Sequence, residues 1–107
     1  MENVEHASKE DKKEAELERV RERAKSIDFK VLGTAKASDK DDLQVIKGVG
    51  PFIEEKLNAL GIYTYLQISK MKGGLEDQVN EAIEFFPGRV KRDQWVNQAK
   101  TLLNEEE

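Results

Sequence analysis

Leu17, Val20, Ala24 and Ile27 recur three or four residues apart in a stretch that otherwise mixes acids and bases, "SKEDKKEAELERVRERAKSID". That spacing, in a segment without Gly or Pro and rich in helix formers, predicts an N-terminal helix with one narrow apolar stripe and a solvated charged face. Ser8 followed by Asp11 supplies a start signal. The stripe is shorter than the roughly three to four heptads a coiled coil needs. It therefore predicts a helix docked on the domain or on a partner in preference to a dimer seam. Ile27, Phe29 and Val31 then alternate with Asp28 and Lys30, a strand-like period that predicts an extended segment. "GTAKASDK" reads as a linker, with Ser38, Asp39 and Asp41 as candidate caps for the element that follows.

From Asp41 the pattern is denser. Leu43 and Ile46 share one face of a short helix that Gly48 and Gly50 break, and Pro51 suits the first turn of the next helix. Ile53, Leu57 and Leu60 form the apolar face of that second helix, which Gly61 ends as a left-handed cap. Thr64 caps a short third helix, "TYLQISKM", before "KGG" interrupts. A fourth helix, "LEDQVNEAIEFF", turns Leu75, Val79, Ala82, Ile83 and Phe86 to one side, and after "FPGRV" a last helix, "KRDQWVNQAKTLL", turns Trp95, Ala99 and Leu102 inward. The spacing of Ile53, Leu57 and Leu60 recurs in Trp95, Ala99 and Leu102, and that of Leu43, Ile46 and Gly48 recurs in Ile83, Phe86 and Gly88. The pattern predicts a doubled unit, helix-turn-helix twice over, although any two amphipathic helices can share such spacings.

Composition narrows the function. In 107 residues there is room for one domain and a tail, and the division expected is residues 1–38 as a charged helical tail with its linker and 39–104 as the domain. No apolar run approaches the roughly 18 residues of a membrane span, and no signal peptide precedes the first charges. A cytoplasmic protein without membrane contact is the default expectation. Cysteine is absent, so there is neither a disulfide nor a thiolate metal site. The net charge of -4 weighs against a nucleic-acid partner, whose binding normally rests on a basic surface. The excess of acid falls entirely after residue 40, because residues 1–40 carry ten Lys/Arg and ten Asp/Glu whereas residues 41–107 carry eight and twelve.

The turn "KGVGP" carries the chemistry. Glycine permits positive φ and lets a ligand approach the backbone, and the helix starting at Pro51 offers unpaired N–H groups at the positive end of its dipole. "DDLQVIKGVGPFIEEKLNALGIYTYLQI" resembles the helix-hairpin-helix family, and more closely its small flap-endonuclease-like modules of bacteria; "FPGRVKRDQWVNQAKTLL" resembles their usual continuation. The resemblance covers roughly residues 39 to 103. It implies an all-α, compact five-helix domain of two helix-hairpin-helix units, the second degenerate, joined by a short connector helix and preceded by the polar N-terminal helix. It also implies that Gly48, Val49 and Gly50 donate backbone hydrogen bonds to DNA phosphates, sometimes with a monovalent cation on the hairpin carbonyls, and no other cofactor. Such contacts position a duplex without reading it. Lys47 beside the hairpin and Gly88, Arg89, Lys91 and Arg92 at the second turn complete the candidate nucleic-acid-binding set, either as one basic surface with Lys70 and Lys72 or as scattered solvated charge.

Two features depart from the family pattern. Where a basic residue commonly follows the hairpin this chain has Phe52, then Glu54 and Glu55, and where the first turn has Gly50 the second has Val90. No catalytic site is expected. Asp41 with Asp42 and Glu54 with Glu55 are adjacent pairs whose side chains diverge by about 100° on a helix, unsuited to a metal cage. The single histidine, His6, sits in the polar tail. The expected function is a non-catalytic module that binds DNA weakly and without sequence preference. The alternative is a protein-interaction domain that keeps the fold without the ligand, its contact the N-terminal helix or an apolar patch including Phe52.

Overall fold

The apolar stripe of the N-terminal segment forms one side of a helix, α1 (Lys9–Arg23), and that side is spent on the rest of the chain. The structure is a computed structural model that describes the backbone of residues 9–106 and the side chains of residues 11–104. Ser8, His6 and Glu107 lie outside the described residues. Val20 is fully buried, Ile27 is buried, and Leu17 and Ala24 are half-buried, with α1 lying against α3 (Pro51–Leu60). Polar contacts fasten the end of α1. Arg19 Nε and Nη2 donate to the two oxygens of Glu84 at 2.7 and 2.9 Å, and Arg23 Nη1 donates to Glu84 Oε2 at 2.8 Å and to the Ala82 carbonyl at 3.0 Å. These guanidinium hydrogen bonds, Arg19 first, hold the Glu84 carboxyl at about 2 against an ordinary value of 4.5.

The segment expected to be extended is instead a short helix, α2 (Phe29–Leu32). Asp28 Oδ1 accepts from the Lys30 N–H at 3.0 Å, and this local cap fixes a helical turn that the alternation of Ile27 to Val31 could not reveal. Ile27 and Leu32 take the inward positions, while Val31 is 40% exposed. The first helix of the hairpin is likewise reduced, to a 3-10 turn at Leu43–Val45 capped by Asp42, whose carboxylate accepts from the Gln44 N–H. Asp41 reaches across instead and accepts from the Tyr65 N–H at 2.9 Å.

The remaining α-helices are α4 (Tyr65–Ser69), started by the Thr64–Gln67 capping box, α5 (Gly74–Ala82), α6 (Arg89–Arg92) and α7 (Trp95–Glu106). The chain is all-α, without a strand among the described residues. α4 lies along α7, and Leu43, Ile46, Leu57, Leu60, Ile68, Val79, Ile83, Trp95 and Ala99 are shut from solvent between the helices.

Phe86 corrects the reading of the second turn. Its helical spacing placed it inward, yet it is 69% exposed. The reason is that α5 stops at Ala82 and Glu84 adopts φ 57, so the helical register is lost before residue 86. Phe85 goes inward in its place, its ring 5.9 Å from that of Trp95. Asn80, 4% exposed, closes the turn: Nδ2 donates to the carbonyls of Phe85 and Phe86 at 3.3 and 2.9 Å, and Oδ1 accepts from the Val90 N–H at 2.8 Å. The last expected helix is split into α6 and α7 at Asp93 and Gln94, the latter with φ 54. The spacing repeat therefore keeps its positions buried or half-buried along α3 and α7 and fails at the turns, where Ile46 is buried and its counterpart Phe86 is not.

Candidate nucleic-acid interface

The two glycines of "KGVGP" do different things. Gly48 has φ +103, and a Cβ there would lie 2.6 Å from Asp93 Oδ2 and 2.9 Å from Trp95 Nε1, so the fold itself demands glycine. Gly50 has φ -92 and ψ -177, which any residue adopts, and a Cβ there would meet nothing within 4 Å. Between them Val49 is buried and its N–H donates to the Ile46 carbonyl at 3.0 Å, closing the turn. The Lys47 N–H donates to Gln98 Oε1 at 2.8 Å, and Gln98 Nε2 returns to the Lys47 and Asp93 carbonyls at 3.1 and 2.7 Å. Gln98 thus clamps the hairpin to α7. The N–H groups of Gly48, Gly50, Phe52 and Ile53 donate to nothing among the described residues, and the exposed Lys47 ammonium makes no ion pair with them. Of the three hairpin residues expected to donate outward, Val49 has its N–H already engaged; Gly48 and Gly50 do not.

The carboxylates after the hairpin are turned away from it. Glu54 accepts from the Leu43 N–H at 2.9 Å and from Gln44 Nε2 at 2.8 Å, bracing the 3-10 turn. Glu55 borders a surface groove with Leu17, Arg21 and Asn58 on the α1 side. Phe52 carries two ammonium groups over its ring, Lys56 Nζ at 4.7 Å and Lys13 Nζ at 5.3 Å from the centroid.

The second turn reaches the first through Asp93. Arg89 Nε lies 3.6 Å from Asp93 Oδ2 and Arg92 Nε 3.3 Å from Oδ1, so both guanidiniums border the carboxylate that flanks Gly48. Arg89 also stands over the Phe85 ring, 5.2 Å from its centroid. Lys91 points elsewhere, to Asp77 at 3.0 Å. Gly88 is exposed with φ +78, where no Cβ clash would arise, so only its backbone angle calls for glycine. Gly48, Arg89 and Arg92 therefore meet around the Asp93 carboxylate, with Lys47 and Gly50 next to Gly48 along the chain, and Lys91 is drawn away to Asp77.

A family model, the RS2/RL21/YNQ2 HHH domain, matches residues 43–103, more than half of the chain. The chain belongs to this family. The RS2/RL21/YNQ2 HHH match begins at the 3-10 turn before the hairpin and ends in α7, so α1 and α2 precede it. Three relatives show where such a domain occurs. An uncharacterized 22.9 kDa protein in the nqo2 3' region of Paracoccus denitrificans is 41% identical over 66 residues, 62% of this chain and 31% of that protein. The small ribosomal subunit protein uS2 of Methylobacterium nodulans is 41% identical over 63 residues, 59% of this chain and 18% of that one. The large ribosomal subunit protein bL21 of Hyphomonas neptunium is 39% identical over 69 residues, 64% and 33%. The chain thus spans about a third or less of the length of these relatives. No solved structure gives a match.

Within the RS2/RL21/YNQ2 HHH domain, sequence reasoning missed Gln98 and Asp93, which meet the hairpin, and Asn80, which closes the second turn. All three are polar residues whose partners lie across a turn or on another element, and no local spacing marks them. Among the described residues no cluster of metal-ligating side chains occurs, and no helix is long and apolar enough to cross a membrane.

Proposed function

We propose that this domain binds the phosphate backbone of nucleic acid, without catalysis and without reading sequence. Gly50 carries the reading. The fold does not require glycine there, yet a glycine leaves the start of α3 bare, with N–H groups unengaged among the described residues and the helix dipole facing solvent beside the exposed Lys47. Arg92, exposed, and Arg89, half-buried, stand past Asp93, their charge shared with its carboxylate. The flap-endonuclease-like resemblance supports the same use of the hairpin. Two of the relatives are ribosomal subunit proteins, which makes RNA as fitting a ligand to propose as the DNA expected from sequence. Residues 39–104 are the unit proposed to carry this function. The monovalent cation that the resemblance attaches to the hairpin would fall to the Gly48 and Val49 carbonyls. Those of Ile46, Lys47 and Gly50 already accept from Val49, Gln98 and Glu54, and a cation here would add positive charge between hairpin and phosphate.

The test is a salt-dependent titration of the chain with duplex DNA and with duplex RNA of equal length. Affinity should fall with salt, and Lys47→Glu and Gly50→Val should weaken it while leaving the protein folded. If neither duplex binds at low salt, the domain is a protein-interaction unit, the reading that the net charge of -4 favours.

A further inference from the structure

The geometry points to Lys13, on the N-terminal helix outside the family match, as a phosphate-contacting residue of the hairpin surface. The inference rests on the nucleic-acid reading above and extends it to α1. At the position after the hairpin where a helix-hairpin-helix unit commonly carries a base, this chain has Phe52, and the negative face of that ring gathers two lysines. They are not equivalent. Lys56 is buried to 5% exposure and its ammonium is paired with Glu16 at 3.5 Å, so its charge is already answered. Lys13 is exposed, makes no ion pair with a described residue, and stands over the ring of the second residue of α3. Its charge is thereby held over the side chain of a residue whose own N–H, in the first turn of α3, is unengaged among the described residues.

Two buried donors near the hairpin also lack a hydrogen-bond partner among the described residues: Trp95 Nε1, which lies against Gly48, and Arg89 Nε, 3.6 Å from the Asp93 carboxylate. The tertiary structure thus restores, from a different helix, the cation that the local sequence lacks. The stapling of α1 by Arg19, Arg23 and Glu84 fixes the helix that presents it.

The test is the same salt-dependent titration of the full chain, with duplex DNA and duplex RNA as separate arms, on Lys13→Ala, Phe52→Leu, the double variant, and Lys47→Glu. Lys13 is exposed, so Lys13→Ala should leave thermal unfolding unchanged. It should weaken binding several-fold at low salt and reduce the slope of log affinity against log salt by about one. Phe52→Leu keeps an apolar side chain but removes the ring that holds the ammonium, so in that background Lys13→Ala should have little further effect. If Lys47→Glu weakens binding while Lys13→Ala changes neither affinity nor slope, the role of Lys13 is overturned and the hairpin reading stands. If Lys47→Glu and Gly50→Val are also silent, the hairpin reading itself fails. A slope change in one arm only assigns the surface to DNA or to RNA.

Discussion

The carboxylate of Asp93 stands 2.6 Å from the place a Cβ on Gly48 would occupy, so the first hairpin and the start of the last helix are in contact at a position that admits no side chain. The φ of +103 at Gly48 adds a backbone penalty for any L residue. Gly48→Ala should therefore destabilise the domain by about 1–3 kcal/mol, the cost of holding a non-glycine residue in strained backbone. Urea unfolding followed by circular dichroism would read it as a lower midpoint with an unchanged slope.

Gly50 should behave in the opposite way. Gly50→Ala fits an extended backbone with open space around the new Cβ, so it should be neutral or stabilise by about 0.4–1 kcal/mol through a less flexible unfolded chain. If the bare backbone is there for a phosphate, the same variant should still lose nucleic-acid affinity. Stability and binding moving in opposite directions would separate the two glycines cleanly; a stability loss matching that of Gly48→Ala would refute the distinction.

Phe86 and Ile46 occupy corresponding places in the spacing repeat and should respond very differently to truncation. Phe86 is 69% exposed, so Phe86→Ser should change stability by no more than about 0.5 kcal/mol. Ile46 is fully buried, and Ile46→Ala should cost about 2–5 kcal/mol. Comparable losses at both sites would show that the second turn does not place Phe86 in solvent.

Asn80 should prove costly to lose for its size. Asn80→Ala leaves the buried Val90 N–H without its partner, at about 1–3 kcal/mol, and removes a donor from the Phe85 and Phe86 carbonyls, the latter keeping the Arg89 N–H. Amide exchange at Val90 should accelerate relative to residues of α3; uniform protection would count against the role.

Acid should loosen the N-terminal helix through Glu84. Its folded pKa of about 2 lies below the ordinary 4.5, so the fold favours the ionised form. The stabilisation is complete above the unfolded value and is lost as pH falls from there toward about 2. Glu84→Gln should lower the thermal midpoint near neutral pH and flatten the acid dependence, the two proteins converging at the acid end. Parallel curves would show that the Arg19 and Arg23 pairs contribute nothing to stability.

How far the sequence reached can be followed residue by residue. The helical period of Ile53, Leu57 and Leu60, the Gly61 stop, the Thr64 cap and the stripe of α1 are local signals, set by backbone geometry and by the need to bury one face. They determined the helix class and the place of the hairpin. Local signals failed where a single side chain outweighed the period: Asp28 turned an alternating segment into a helix, and the left-handed Glu84 took Phe86 out of register.

The candidate site divides along the same line. "KGVGP" announced a turn able to present bare backbone, but its two glycines look alike in one dimension. Only the approach of Asp93 and Trp95 from a helix more than forty residues away makes Gly48 a demand of the fold and leaves Gly50 free of it. The acids after the hairpin read as a conflict with phosphate until Glu54 was seen to brace Leu43 and Gln44, and Phe52 read as a missing base until Lys13 was found over its ring. Charge acts through space, and its neighbours along the chain are a poor guide to its neighbours in the fold. The sequence by itself determined where a hairpin could present bare backbone; tertiary structure decided which carboxylates are turned to other partners and which cations stand near Gly48 and Phe52.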